Sequence, residues 1–204
     1  MLLRLLNISG RQLLIATLLG VVLGLLSAVY AIDNAMADGA VKNGEWQTIV
    51  NMGSPDASSY LRAAIAAKGL MALRREEVIY FYVERDADGD ALTADCDYEL
   101  VGLPPDAHWW SVTVYGEDNF LIDNDWDLYS ASGSSLALKD DGSFSIRLSA
   151  EQQPGNWIPT VGSDSSAGSG FNLTLRLYNP SEDVYSNLAT TPLPRIARMG
   201  CDLE

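Results

Sequence analysis

Phe171-Asn172-Leu173-Thr174-Leu175-Arg176-Leu177-Tyr178 alternates apolar and polar side chains without a break. Successive side chains of a strand point to opposite faces. The octet therefore reads as a strand with Phe171, Leu173, Leu175 and Leu177 on a core. Asn172, Thr174, Arg176 and Tyr178 fall on the other face. Phe144-Ser145-Ile146-Arg147-Leu148 repeats the pattern, with Arg147 on the polar row. In Trp109-Trp110-Ser111-Val112-Thr113-Val114-Tyr115 either row is open to the core. Trp110, Val112 and Val114 make the more core-like one.

Working outward, residues 78–85 and 96–102 are rich in β-branched and aromatic side chains and predict strands, as does the shorter run 119–123. Turn signals separate them: the acidic stretch 86–90, Gly116-Glu117-Asp118, Asp140-Asp141-Gly142 and Gln153-Pro154-Gly155-Asn156. Residues 163–170 read as a Ser/Gly-rich loop, and 192–201 as an irregular, proline-containing tail. One early segment has helical spacing. Ser54-Pro55-Asp56 predicts an N-cap, a first-turn proline and a first-turn acid. Tyr60, Leu61, Ala64, Ile65 and Lys68 continue it, and Gly69 is a natural stop. Many short strands with Gly/Pro-rich turns and one early helix predict a mainly β domain, an antiparallel sandwich or jelly roll.

Ahead of this domain, residues 13–32 form a run of twenty without a charge. As a helix the run is about 30 Å long, the thickness of a bilayer's hydrocarbon core. Arg4 and Arg11 precede it, and Asp33 and Asp38 follow. The positive-inside rule then places residues 1–12 in the cytoplasm and exports the rest. The expected organisation is a single-pass anchor at 13–32, a linker at 33–43 and a periplasmic β domain at 44–204, on a bacterial inner membrane. Gly20 and Gly24 have the small-xxx-small spacing of some helix pairs. The competing reading is a signal peptide cleaved after Ala35-Met36-Ala37. Signal-peptide cores are shorter, about 7–15 residues, which favours the anchor.

The chain carries 27 acidic and 13 basic residues, a net charge of −14; without Arg4 and Arg11 the exported part stands at −16. That balance argues against nucleic acid and against adhesion to anionic lipid headgroups. Cys96 and Cys201 are the two cysteines, and in an oxidising compartment an even pair predicts a disulfide. A two-cysteine metal site would need further ligands, and His108 is the lone histidine. Neither a metal nor another cofactor is expected. Asp86-Ala87-Asp88-Gly89-Asp90 and the alternating Asp123, Asp125 and Asp127 have some calcium-loop character. In the first, the glycine stands at position four and Ala91 at six, which fits an acidic hairpin turn better.

Several ordered motifs carry a family resemblance. Asn51-Met52-Gly53-Ser54-Pro55-Asp56 is followed by Cys96-Asp97-Tyr98 and Trp109-Trp110-Ser111. Then come Pro154-Gly155-Asn156-Trp157, Leu175-Arg176-Leu177-Tyr178-Asn179-Pro180 and a late cysteine. From about Trp46 to Cys201 the chain resembles the bacterial domain of unknown function numbered 1214, also found as the C-terminal half of longer two-domain proteins. The resemblance implies a jelly-roll-like β fold and no established activity.

No nucleophile elbow, P-loop or dinucleotide fingerprint occurs. The candidate ligand surface is the polar sheet face: Arg147, Arg176, Tyr178 and Asn172, with Asn156 and Trp157 at its mouth. Arginine forks, hydroxyls and aromatic rings together suit a polar or glycan ligand. The leading expectation is a non-enzymatic binding or accessory module for such a ligand or a membrane-protein partner. The alternatives are a structural subunit of a membrane complex, and an envelope glycan hydrolase using paired carboxylates.

Overall fold

A computed structural model describes residues 9–37, 39–67, 72–162 and 169–201. Helix α1 (Gly10–Asn34) leads into a hairpin of β1 (Ala40–Asn43) and β2 (Trp46–Ile49), then helix α2 (Ser59–Ala67). Strands β3 (Val78–Val83), β4 (Cys96–Gly102), β5 (Ala107–Gly116), β6 (Ser130–Ser132), β7 (Phe144–Ser149), β8 (Trp157–Pro159) and β9 (Phe171–Pro180) follow. A short helix α3 (Glu182–Ser186) and strand β10 (Arg195–Cys201) complete the order.

The strands form two sheets. One has the order β1-β2-β3-β9-β5-β6, the other β10-β4-β7-β8. All pairings are antiparallel except β7 with β8. The domain is mainly β, as its alternation predicts. Strand β9 is central in the larger sheet, and Leu173, Leu175 and Leu177 are fully buried. On β5 the row Trp110, Val112, Val114 goes inward and the row beginning with Trp109 outward. Facing them from the smaller sheet are Tyr98, Leu100, Phe144, Ile146, Leu148, Ile158 and Ile196. The Trp110 and Phe144 rings meet across the interface at 4.9 Å. Each fully buried Leu or Ile contributes about 1.5–3 kcal/mol, so these rows dominate the fold's stability.

Strand β10 corrects the expectation of an irregular tail. It pairs with β4 in register, with one bulge between Arg198 and Gly200. Its hold is long-range. Ile196 is fully buried, the Trp46 indole donates to the Pro194 carbonyl at 2.6 Å, and Glu45 accepts from the Ile196 N–H at 2.9 Å. Cys96 and Cys201, directly opposed on β4 and β10, form a disulfide.

Three other expectations shift. Residues 119–123 are a turn, not a strand: Asn119 adopts the left-handed φ of 64°, and Tyr115–Leu121 is an isolated bridge. The stretch 33–43, expected as a linker, carries the last residues of α1, to Asn34, and the whole of β1 from Ala40. Helix α2 starts four residues late. The Ser54 hydroxyl accepts from the nearby Asp56 N–H and makes a turn, while Ser58 caps the helix by accepting from the Leu61 N–H at 3.1 Å. Lys68 and Gly69, and most of the loop expected at 163–170, lie outside the described residues.

Candidate functional site

The outward face of the larger sheet is assembled by register. Arg176 on β9 lies between Ser111 on β5 and Tyr80 on β3. One step along, Thr174 lies between Thr113 and Tyr82; in the other direction Tyr178 pairs with Trp109. The β3–β2 end of this face is roofed by α2. There Ile49, Met52, Ala57, Leu61 and Ile65 form a second apolar cluster, with Tyr80 and Tyr82 against it. Burial, and then the charge of Glu84, push the Tyr82 phenol above its ordinary value, so it stays neutral. Its hydroxyl points at Gln47 at 3.4 Å.

On the β9–β5–β6 side the face is polar and aromatic. The Arg176 guanidinium donates to the Thr113 hydroxyl at 2.9 Å and the Tyr115 hydroxyl at 2.6 Å. It also lies 5.6 Å from the Tyr115 ring centroid, within cation–π range. Among the described residues no carboxylate forms an ion pair with it; both ion pairs found there belong to Arg198. Trp109, 38% exposed, meets Tyr178 edge-to-face at 4.9 Å and donates from its indole to Ser134. This surface has an arginine with neutral partners beside an aromatic pair.

The six residues expected to share a ligand face do not come together. Arg176 and Tyr178 share the larger sheet's outer face. Arg147 stands on β7 of the smaller sheet, on the row opposite Ile146 and Leu148, so the core separates it from Arg176. Asn172 is buried, its amide donating to the Gly116 carbonyl at 3.0 Å. Asn156 is a bracket. It donates to the carbonyls of Ala137 and Ser145 and accepts from the Ala137 N–H. Trp157 is buried, bonded to the Ser149 carbonyl and packed edge-to-face on Trp126. Sequence alternation identified the outward arginine. It missed Tyr80 and Tyr82 on β3 as neighbours of the face, although their spacing within 78–83 marks them.

The acidic loops have their own architecture. One Asp86 carboxylate oxygen accepts from the N–H groups of Asp88 and Asp90, both at 3.0 Å. The other lies 2.8 Å from the Arg198 guanidinium, which also reaches Asp90 at 3.2 Å. In the second loop Asn124, not an aspartate, is central. It accepts from Trp126 and Leu128 and donates to the carbonyls of Ile122 and Leu128. No cluster of three potential metal ligands occurs among the described residues. His108 is exposed at the start of β5.

Helix α1 is long and apolar enough to cross a membrane, and none of its residues is buried in the domain. A membrane anchor and a signal sequence near an N-terminus share this character. Ser9 and Gln12 form a capping box at its start. Just past its end, Ala35 and Met36 pack on the α2 cluster.

Comparison with known proteins adds kinship without chemistry. The family described as a protein of unknown function (DUF1214) matches residues 77–182. The VPA0106 protein from Vibrio parahaemolyticus has a similar fold, with a TM-score of 0.58 and 22% identity. The match covers 94% of this chain and 46% of that one, so the chain spans less than half of that protein. An uncharacterized protein from Burkholderia cenocepacia aligns at a TM-score of 0.41 and 15% identity, covering 87% of this chain and 42% of that one. No curated protein matches the chain.

Proposed function

The chain belongs to the DUF1214 family of proteins of unknown function, and on that premise we propose a non-enzymatic binding module held at a membrane by α1. Residues 13–32 are the spanning segment, residues 1–12 stay in the cytoplasm, and the β domain lies in the periplasm. The basic residues before the run and the acidic ones after it support this orientation. A short tether keeps the domain at high effective concentration near whatever shares its membrane.

The ligand platform is the outer face around Arg176. One observation carries this reading: in a chain of net charge −14, the Arg176 guanidinium is held by hydroxyls and a ring instead of a carboxylate. Its positive charge is therefore left for an anionic or hydroxyl-rich ligand, which the Trp109–Tyr178 pair flanks with an aromatic surface.

The test is calorimetric titration of full-length protein in detergent with inorganic phosphate and with a glucuronate-containing oligosaccharide. Binding of either probe that Arg176→Ala abolishes and Arg176→Lys weakens supports the platform, because lysine keeps the charge but loses the planar fork. Binding unchanged in Arg176→Ala, or no binding of either probe, counts against it. Cleavage of the oligosaccharide would replace the binding reading with the hydrolase one.

A further inference from the structure

We propose that the cleft beside α2 receives the headgroup of an anionic phospholipid from the bilayer that α1 crosses. This inference rests on the anchored reading above and goes beyond it by assigning a lipid contact to the domain itself. The cleft has a volume of about 660 Å³ and lies between α2 and the turn at residues 53–57. Ala57, Ile65 and Leu73 supply apolar lining, and Arg62 and Arg74 supply the charge. None of its described lining residues is acidic. Two other sizeable clefts differ: one carries Glu117, Asp118 and Asp123, and in the other Glu45, Glu84, Asp86 and Asp88 outnumber Lys42, Arg85 and Arg195.

Position selects the occupant. Ala57 and Ile65 belong both to the cleft and to the cluster on which Ala35 and Met36 pack. The uncharged run ends at Ile32, four residues before Met36. At a rise of about 1.5 Å per residue, Met36 stands only about 6 Å past the hydrocarbon boundary. The headgroup layer is itself about 5–8 Å deep on each side of the core. The α2 cluster thus begins at headgroup level. Tyr60, 52% exposed, and Leu73, 46% exposed, are large apolar side chains on this edge. Tyr30, near the end of α1, is exposed too, and tyrosines gather at that depth.

Charge is complementary. Of the basic side chains in residues 51–75, Arg62 and Arg74 line the cleft while Arg75 turns to the Tyr185 carbonyl, and Asp56 is the single acid of that segment, in a domain that is otherwise strongly acidic. Glu76 and Glu77 follow, but their carbonyls accept from Tyr185 and Asn179, placing that turn beside α3, and neither lines the cleft. Arg62 donates to the carbonyls of Pro55 and Ala57, which fixes its guanidinium at the rim. The Arg74 side chain is exposed and forms no hydrogen bond or ion pair among the described residues. The net acidity of the chain repels an anionic surface, whereas this edge does not.

The experiment uses full-length protein in nanodiscs of phosphatidylcholine, with and without phosphatidylglycerol, each carrying a headgroup-proximal or a mid-chain doxyl quencher. Single cysteines replace Leu73, Val22 in α1, and Leu103, an exposed apolar residue outside the cleft, and each carries a bimane. Quenching of bimane at position 73 by the headgroup-proximal quencher should exceed that at 103 several-fold in phosphatidylglycerol discs. It should fall in phosphatidylcholine alone and in Arg74→Glu, a change that removes no bond of the fold. Mid-chain quenching at 22 with equal, weak quenching at 73 and 103 overturns the lipid contact and leaves the anchor standing. Strong quenching at 73 in both lipids and in Arg74→Glu overturns anionic selectivity. No quenching at 22 removes the anchored reading and this inference with it.

Discussion

Arg198 of β10 lies 2.8 Å from Asp86, at the first position of the acidic loop, with the Asp86 side chain 1% exposed and that of Arg198 29%. The last strand and the loop after β3 are thereby held as one unit, which the disulfide between Cys96 and Cys201 closes from the other side. A carboxylate that serves an arginine and two N–H groups is a structural element of the fold.

Replacing Asp86 by Ala removes the acceptor of two backbone N–H groups and leaves Arg198 half-buried without its main partner. The expected cost is about 3 kcal/mol, the low end for a broken buried pair because Arg198 keeps solvent access. Urea denaturation of the two proteins measures it; a loss under about 1 kcal/mol would mean the loop holds its shape without the pair.

Calcium should leave the melting temperature unchanged, because the innermost carboxylate of the 86–90 loop is already engaged. A saturable rise in melting temperature with calcium would show that the loop rearranges to bind it, since a ligand specific for the folded state stabilises by mass action.

Ser58→Ala should destabilise by about 1 kcal/mol and Ser54→Ala by much less, because the Ser58 hydroxyl satisfies a helix N–H. Equal losses, or a larger one at Ser54, would move the start of α2 back to the earlier serine.

Reduction should weaken the domain without removing its core. Cys96 and Cys201 are 105 residues apart, and the chain-entropy treatment assigns such a loop about 4–5 kcal/mol. The Cys96→Ser/Cys201→Ser variant should show a denaturation midpoint lowered accordingly, with wild-type protein under dithiothreitol matching it. Identical midpoints with and without reductant would mean the β4 ladder, Ile196, Trp46, Glu45 and Arg198 hold β10 without the disulfide.

What the sequence made legible follows the range of the forces involved. The period of two in residues 171–178 is local, so β9 and its inward leucines could be read directly. The early helix was legible too, but two serines four apart competed for its cap. Strand β10 was not legible, since the partners of Ile196 and Arg198 lie on β4 and in the 86–90 loop, about a hundred residues earlier. Three-residue strands such as β6 and β8 are too short to show a period. At the candidate site, alternation placed Arg176 outward. It could not show that Asn172 is spent on Gly116, or Asn156 on Ala137, because those bonds depend on register and loop closure.

The most direct measurement of the central claim is the intact mass of the full-length protein purified from its own membranes in mild detergent. A mass that includes residues 1–37, from protein resisting alkaline extraction, is the result a membrane-held module predicts. A chain beginning near Asp38 and recovered in the soluble fraction would contradict it, making α1 a removed leader and freeing the domain from the bilayer.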